Sequence, residues 1–203
     1  MRYFYFLILG LAVFFAVSCA FGPKEVLLDS FEGVISNETV DYGASDNSLV
    51  TVGADTTVKV CGEQSLKILY DLKPSGYMWI ARGFGLDVSG AALWEVAPQD
   101  IKWKNYKSLS LSMYGNNSGG VVAFDIKDKG GEIFRFLLDD DFSGWKEIIC
   151  PFDQFFVRTD WQPETAERNK AIDFPVMSFQ FEPRLPGIGA YYFDCIKLVK
   201  AKK

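Results

Sequence analysis

Four residues near position 160 have side chains that could do recognisable chemistry together. Arg158, Asp160, Trp161 and Gln162 fall within five positions, directly before Pro163. The tryptophan ring offers an apolar face for stacking, and the guanidinium, carboxylate and amide groups form directional hydrogen bonds. A sugar ring needs both kinds of contact in one place, because it has C–H groups on its faces and hydroxyls around its rim. The cluster predicts a sugar-binding site. The alternative is a core tryptophan beside a surface Arg158–Asp160 ion pair.

A predicted strand and a short turn of helix lead into this cluster. Residues 145–150 mix aromatic, β-branched and charged types in the way of a half-buried strand. Pro151 ends that strand because proline has no N–H to donate to a sheet ladder. Residues 152–156 then have room for one helical turn. The cluster is therefore expected on a loop that a strand positions.

Most of the remaining chain alternates between apolar and polar residues with the period of a β-strand. In residues 65–72, Leu66, Ile68 and Tyr70 share one face, and residues 107–114 alternate serine with apolar side chains. Further strands are predicted at residues 25–31, 77–84, 121–128, 132–138, 176–182 and 191–199, with a short one near 57–60 and a long connection over 85–104. Nine or ten short strands without helical periodicity predict an all-β antiparallel β-sandwich of jelly-roll type.

Composition excludes several classes of function. The 203 residues suit one domain, and the net charge of −5 argues against a nucleic-acid partner. The chain has no histidine, which excludes Ser-His-Asp and Cys-His catalysis and imidazole-dependent zinc sites. Carboxylate chemistry, chiefly glycoside hydrolysis, is still possible. Its candidate residues on predicted strands are Asp125, Glu132, Glu147 and Glu182.

The N-terminus has the pattern of an export signal. Residues 1–17 contain one basic residue, Arg2, followed by an apolar run too short for a typical membrane span. Residues 16–19 resemble the bacterial lipoprotein signal, in which Cys19 becomes the lipidated first residue, although Ala16 stands where leucine is usual. Residues 1–19 are thus expected to be a signal peptide of lipoprotein type, and residues 20–203 a single domain. Cleavage after Ala20 is the alternative, and it would release a soluble exported protein.

Three cysteines follow the predicted lipidation site, and an odd number leaves at least one thiol unpaired. Cys61, Cys150 and Cys195 each lie in or beside a predicted strand. The favoured interpretation is that they are small buried hydrophobic residues. Any pairing among them is also open.

Six motifs, taken in order, resemble a known family. They are Leu-Leu-Asp-Ser-Phe-Glu-Gly-Val at 27–34, Gly-Glu-Gln-Ser-Leu-Lys-Ile at 62–68, Gly-Tyr-Met-Trp at 76–79, Pro-Phe-Asp-Gln-Phe at 151–155, Arg-Thr-Asp-Trp-Gln-Pro at 158–163 and Tyr-Phe-Asp-Cys-Ile-Lys-Leu at 192–198. Together they resemble carbohydrate-binding module family 11, a galactose-binding-domain-like β-jelly-roll attached to bacterial β-glucanases. The resemblance extends from about residue 26 to residue 199, and the motif at 158–163 is its most specific part.

The resemblance implies a cleft that binds one β-glucan chain. Its implied carbohydrate-binding residues are Tyr77, Arg158, Asp160 and Trp161, with Tyr42 as a loosely matched further position. Two cleft positions depart from the family pattern. Met177 stands for an aspartate and Pro183 for a tyrosine, so the resemblance leaves open which glucan is bound.

The resemblance also implies a structural Ca²⁺ that clamps the first strand to the last. Asp29 and Glu32 would lie beside Asp194, with loop carbonyls contributed near Gly62 and Glu63. Carboxylate and carbonyl oxygens are the ligands that Ca²⁺ prefers. The alternative is that these acids are simply solvated at the ends of strands.

Three functions are compatible with this sequence. The resemblance favours a monomeric, non-catalytic protein that binds cellulose or mixed-linkage β-1,3-1,4-glucan and assists polysaccharide breakdown, held at the bacterial surface by a lipid anchor on Cys19. A small jelly-roll glycoside hydrolase is the first alternative. The second is a protein-binding assembly factor on the same fold, which would retain the core and lose the aromatic cleft.

Overall fold

The computed structural model describes residues 24–200, which fold into β-strands joined by loops and short 3-10 helices. The strands are β1 (Glu25–Asp29), β2 (Asp41–Ala44), β3 (Leu49–Asp55), β4 (Ser65–Leu72), β5 (Met78–Gly83), β6 (Ser108–Asn116), β7 (Val121–Asp128), β8 (Ile133–Asp139), β9 (Ser143–Pro151), β10 (Phe156–Val157), β11 (Val176–Pro183) and β12 (Gly187–Val199). The 3-10 helices are Ser89–Ala91, Pro98–Asp100, Trp103–Asn105 and Phe152–Gln154. Within residues 24–200, no helix has the length and apolar composition that crossing a membrane requires.

The strands form two antiparallel sheets of six strands each. The β11 sheet has the order β10-β8-β7-β11-β5-β2, and the β12 sheet has the order β3-β4-β12-β6-β9, with β1 also paired to β12. Neighbours within each sheet are mostly distant in sequence, as expected where connections cross between two layers. This architecture confirms the predicted all-β antiparallel sandwich.

The core lies between the two sheets and is rich in phenylalanine. Along β11, Phe179 and Phe181 are buried, while Gln180 between them faces away from the core. The ring of Phe181 stacks on that of Phe193 from β12, with ring centroids 3.8 Å apart. Stacked rings of this kind join the two sheets directly. Because successive side chains of a strand point to opposite faces, the burial of Phe179 and Phe181 places Gln180 on the outer face of the β11 sheet.

The long connection between β5 and β6 completes the core. It is the predicted connection over residues 85–104, and three of the 3-10 helices lie in it. Trp94 and Trp103 are both buried, and the indole Nε1–H of Trp103 donates to the carbonyl of Pro98 at 2.8 Å. These two tryptophans are therefore core residues, unlike the aromatic residues of the site described below.

Residues 35–64 contain more regular structure than their polar sequence predicts. The short strand expected near 57–60 is wrong, since those residues form bends without regular structure, while β2 and β3 precede them. The carboxylate of Asp55 accepts hydrogen bonds from the backbone N–H groups of Thr57 and Val58, at 2.9 and 2.8 Å. An aspartate that bonds to the backbone in this way offers an alternative to the sheet ladder and ends the strand.

The cysteines have two different roles. Cys61 and Cys195 form a disulfide with their Cα atoms 6.0 Å apart, whereas Cys150 on β9 is a buried free thiol. The prediction of small buried hydrophobic residues is therefore correct for Cys150 and wrong for the other two. Burial raises the pKa of the Cys150 thiol, which keeps it protonated and unreactive. Cys19 and the predicted signal peptide lie outside the described residues.

Candidate functional site

A cleft with a volume of about 780 Å³ crosses the outer face of the β11 sheet. Its centre is a row of residues in register on neighbouring strands: Asp41, Ala81, Gln180, Asp125 and Arg135. In-register residues of an antiparallel sheet point to the same face. Because four of the five are polar or charged, the centre of the cleft is suited to hydroxyl groups.

Two aromatic rings lie at one end of the cleft. The rings of Tyr77 and Trp79 are roughly parallel, with centroids 6.2 Å apart, and Tyr77 is 52% exposed. The indole Nε1–H of Trp79 donates to Oδ1 of Asp41 at 3.0 Å. A Cβ atom on Gly43 would come within 2.5 Å of the Trp79 ring, so the ring lies where only glycine leaves room. This end presents a preformed aromatic surface.

The structure corrects the match of Tyr42 to the cleft. The ring of Tyr42 packs against the hydrophobic core, and its neighbour Asp41 lines the cleft instead. Successive side chains of a strand point to opposite faces, so only one of the two can face the cleft. Trp79 and Asp41 are cleft-lining residues that the sequence reasoning missed, although the alternation of Trp79 with Met78 and Ile80 could have placed its ring on the outer face.

Trp161 lies at the other end of the cleft and is not a core residue. Its side chain is 55% exposed, and the Arg158 guanidinium lies 5.7 Å from the ring centroid in a cation–π contact. Gln162 fixes the loop at this point, since its Nε2 donates to the carbonyls of Ile133 and Arg158 and its Oε1 accepts from the N–H of Ile133. The glutamine predicted as a sugar ligand is thus a structural residue that holds the ring in place.

Arg158 belongs to a network of charges beneath Trp161. Only 8% of Arg158 is exposed, and its guanidinium donates to Asp125 at 3.1 Å and to Asp160 at 2.9 Å. Arg135, which the sequence reasoning missed, donates to Asp125 at 2.7 Å and to Glu182 at 2.6 Å. Buried charges that are fully paired in this way hold one another in a fixed geometry. Arg158 therefore lies in the cleft as predicted for a binding residue, with its donors already engaged by carboxylates and its guanidinium beside the Trp161 ring.

Asp160 and Arg184 are the charged groups of this end that are most accessible to a ligand. Their side chains are 46% and 43% exposed, and Arg184 also donates to Glu182 at 2.6 Å. Desolvation raises the pKa of Asp160, but hydrogen bonding and charge from Arg158 outweigh it and hold the pKa below its usual value. Asp160 therefore accepts hydrogen bonds as a carboxylate over the ordinary pH range.

Lys127 and Gln180 lie on the floor between the two aromatic ends, and both line the cleft. The Lys127 ammonium donates to the carbonyl of Gly85, and desolvation lowers its pKa, against the opposing effect of Asp41 and Asp87. The floor therefore offers directional donors and acceptors between two stacking surfaces.

The two departures from the family pattern do not line the cleft. Pro183 is buried, and the carbonyl of Met177 accepts a hydrogen bond from the N–H of Phe84 at 2.7 Å. Ser178 and Arg184, the residues that follow each of them, line the cleft instead. The substitutions at Met177 and Pro183 therefore change the lining of the cleft less than the resemblance to the family implies.

The four carboxylates considered for hydrolysis are not arranged as a catalytic pair. Asp125 and Glu182 both accept hydrogen bonds from Nη2 of Arg135, at 2.8 and 2.6 Å, so this guanidinium bridges them. Glu147 lies on β9 of the opposite sheet, and buried Glu132 accepts from the N–H of Lys170 at 2.9 Å. Hydrolysis needs one carboxyl group that donates a proton and a second that faces the sugar. Among residues 24–200, these candidates do not provide that arrangement.

The predicted calcium ligands do not assemble as a set. Oδ2 of Asp29 lies 2.9 Å from Nε of Arg82, and both side chains are buried. A guanidinium so close to this carboxylate would repel a cation, so Asp29 does not fit the calcium site that the resemblance implies. Burial raises the pKa of Asp29 to about 6 even though Arg82 opposes the shift.

The other two predicted ligands, Glu32 and Asp194, already accept hydrogen bonds from the backbone of one loop. Glu32 accepts from the N–H groups of Glu63 and Gln64, and Asp194 accepts from those of Val60 and Cys61. Two carboxylates so engaged fall short of the six to eight oxygens that Ca²⁺ takes. The residues present do not fit the implied ion.

The fold and the cleft can be compared with solved structures. A family 11 carbohydrate-binding module from Clostridium thermocellum, in complex with a β-1,3-1,4-mixed-linked tetrasaccharide, is 22% identical, with a TM-score of 0.68 over 88% of this chain and 97% of that chain. The family 11 module of a cellulosomal cellulase from the same organism is 20% identical, with a TM-score of 0.65 over 88% and 96%. A β-1,2-glucanase from Parabacteroides distasonis is 13% identical, with a TM-score of 0.57 over 81% of this chain and 23% of its own.

Sequence comparison identifies the family directly. No curated protein matches the chain at a significant level. The family model described as carbohydrate binding domain (family 11) matches residues 17–201, which is nearly the whole chain. The match includes both aromatic ends of the cleft and the charged network under Trp161. The chain therefore belongs to family 11 of the carbohydrate-binding domains, which bind sugar chains and do not cleave them.

Proposed function

We propose that the cleft binds a single chain of a neutral β-glucan, either cellulose or mixed-linkage β-1,3-1,4-glucan. The observation that carries the proposal is the pair of exposed aromatic surfaces, Tyr77 with Trp79 and Trp161, at opposite ends of one polar floor. Each ring can stack on the C–H face of a glucose unit, and the floor between them meets hydroxyls with directional hydrogen bonds. The complex of the Clostridium thermocellum module with a mixed-linked tetrasaccharide supports this choice of ligand.

The pairing of charges in the cleft supports a neutral ligand over an acidic one. Asp125 and Glu182 are paired with Arg135 and Arg158, and Arg184 is paired with Glu182. Arginines that are already paired with carboxylates would contribute little binding free energy to a uronic acid, because its carboxylate would have to compete with those existing ion pairs. The hydroxyl groups of a neutral sugar can instead bond to the exposed parts of the Asp160 carboxylate and the Arg184 guanidinium, without breaking an ion pair.

The same network argues against the two alternative functions. A hydrolase needs a carboxyl group that can donate a proton to the sugar, whereas Asp125 and Glu182 both accept hydrogen bonds from the guanidinium of Arg135. An assembly factor on this fold was expected to lose the aromatic cleft, and here the exposed rings of Tyr77 and Trp161 are retained. Binding without cleavage therefore accounts best for the residues in the cleft.

We also propose that the protein acts as a monomer at the bacterial cell surface. The support for the surface location is the resemblance of residues 16–19 to a bacterial lipoprotein signal. A surface-bound module of this kind would assist polysaccharide breakdown by holding glucan near separate enzymes. Replacing Cys19 with alanine is expected to move the protein from the detergent phase to the soluble fraction. An unchanged membrane fraction would contradict the lipid anchor.

Affinity electrophoresis of the exported protein tests the binding proposal. Native gels containing barley β-glucan or hydroxyethyl cellulose should retard the protein, and gels containing dextran, an α-glucan, should not. The expected affinity of an open cleft is in the millimolar to micromolar range, about −4 to −8 kcal/mol. Equal mobility in all gels would refute the proposed ligand class, and release of reducing sugar from barley β-glucan would refute the non-catalytic assignment.

A further inference from the structure

A covalent bond lies at the junction where the family resemblance implies Ca²⁺. The disulfide between Cys61 and Cys195 joins the loop before β4 to the middle of β12, across 134 positions of sequence. Asp194, directly before Cys195, accepts from the N–H groups of Val60 and Cys61 at 3.0 and 2.8 Å. The loop and the last strand are thus held by a disulfide and two hydrogen bonds at one point.

The end of β1 is tied to the same loop by hydrogen bonds alone. Oε1 of Glu32 accepts from the N–H groups of Glu63 and Gln64, at 2.8 and 3.2 Å. The side-chain amide of Gln64 donates to the carbonyls of Phe31 and Gly33, each at 2.7 Å. First strand, loop and last strand therefore meet here through direct protein contacts, without need of an ion between them.

The backbone of β12 is shaped around the disulfide. Cys195 has a φ of 51°, which is uncommon for a residue other than glycine, and the pairing of β12 with β6 shifts register between Asp194 and Lys197. An irregularity of this kind turns a side chain away from the regular strand direction. Here it accompanies the bond to Cys61, and the backbone N–H of Cys195 donates to Oδ1 of Asp194.

We propose that the Cys61–Cys195 disulfide performs the clamping role that the family resemblance assigns to Ca²⁺. Stability then depends on the redox state of this bond and is independent of divalent cations. Asp29 is paired with Arg82, and Asp194 and Glu32 serve the loop backbone, so the acidic residues have other partners. The proposal concerns the fold and is independent of whether the cleft binds a glucan.

The reaction that opens the clamp is an ordinary thiol–disulfide exchange. Dithiothreitol supplies two electrons and two protons, the S–S bond breaks to give two thiols, and the reagent is oxidised to its cyclic disulfide. Cys61 is partly exposed, so the reagent has access to the bond. Because such a bond persists in oxidising compartments, the clamp also implies that the domain completes its folding after export.

Melting curves of the exported protein test the proposal, with four conditions compared: untreated, EDTA, added CaCl₂ and dithiothreitol. We expect dithiothreitol to lower the Tm by roughly 5–15 °C, and EDTA and CaCl₂ to leave it unchanged. The double variant Cys61→Ser/Cys195→Ser should start at the lower Tm and lose its response to dithiothreitol. Cys150→Ala is the matched control, because it removes a cysteine and should keep the full response.

Three outcomes would overturn the proposal. One is a fall in Tm with EDTA that CaCl₂ reverses, which would restore the ion to its clamping role. Another is a dithiothreitol response that persists in the double variant or disappears in Cys150→Ala. The third is the absence of a linked Cys61–Cys195 peptide when the exported protein is alkylated, digested without reductant and examined by mass spectrometry.

Discussion

The two ends of the cleft hold their aromatic rings by different means. At the Trp161 end, the ring lies on the loop after β10, above a buried network. Arg135 of β8 and Arg158 of the loop itself link Asp125 of β7 to Glu182 of β11. At the opposite end, Trp79 is fixed by its position on β5, by one hydrogen bond to Asp41 and by the space above Gly43.

A ring on a loop therefore needs tertiary support, whereas a ring on a strand is positioned by the alternation of the strand itself. Changes beneath Trp161 should therefore affect the stability of the fold, and changes around Trp79 should affect mainly binding. Four substitutions test this contrast.

Arg135→Met should have the largest effect, and the effect should be on stability. It removes one of the two guanidinium groups that Asp125 and Glu182 share and leaves Arg158 as their common partner. The loss should approach the value of about 3–5 kcal/mol that breaking a buried ion pair commonly costs. Urea denaturation of the variant should show this loss, and exposed Arg168→Met should change the free energy of unfolding by less than about 0.5 kcal/mol. A loss below about 1 kcal/mol for Arg135→Met would mean that the network is not the support of this end.

Trp161→Ala should have the next largest effect, and the effect should be on binding. Truncating a tryptophan that anchors a ligand commonly costs at least about 2 kcal/mol, so retardation by barley β-glucan should nearly disappear while the Tm changes little. Trp103→Ala is the matched control, because that ring is buried and its loss should cost roughly 3–5 kcal/mol of stability. The contrast fails if Trp161→Ala melts as early as Trp103→Ala.

Tyr77→Ala should weaken binding by a smaller amount, about 1 kcal/mol or roughly fivefold. The neighbouring ring of Trp79 stays in place and continues to offer a stacking surface. Isothermal titration calorimetry with a mixed-linkage oligosaccharide can resolve such a change. Loss of affinity as great as that of Trp161→Ala would show that the two rings of this end act as one unit.

Asp41→Leu should have the smallest effect, a decrease in affinity of up to about 1 kcal/mol. The leucine cannot accept the hydrogen bond from the Trp79 indole, so the ring becomes less well oriented. Asp41→Asn is the matched control, since its amide oxygen can still accept that bond and affinity should be preserved. Equal losses in both variants would show that the carboxylate charge matters and the orientation of the ring does not.

The sequence was informative where a site is local and uninformative where it is assembled from distant strands. Trp161 and Asp160 lie within one short motif, so their types and spacing could be recognised before the fold was known. Arg135 stands alone in an apolar strand, and its partners Asp125 and Glu182 are 10 and 47 positions away. No local pattern marks such a residue, because only the register of β7, β8 and β11 brings the three together.

The poor fit of Asp29 to the implied calcium site has the same physical origin. Asp29 is assigned to the calcium site from the motif at residues 27–34 alone. Its ion-pair partner Arg82 lies on β5 of the other sheet, so the local sequence does not reveal the pairing. Similarly, Tyr42 and Asp41 are adjacent in sequence, and which of them faces the cleft depends on the pairing of β2 with β5. The fold class needed only the strand periodicity and turn residues, which are local, and it was therefore predicted correctly.

Gly43 suggests how affinity in this domain could be tuned in evolution or by design. It need not touch a bound sugar, yet any larger residue there must displace the Trp79 ring. Gly43→Ala would thus tilt one stacking surface while leaving each sugar-contacting side chain chemically unchanged. A comparison of contact residues would not reveal variation at such a position. Under the proposed function, we expect it to shift one stacking surface relative to the other and so to alter the preferred glucan linkage.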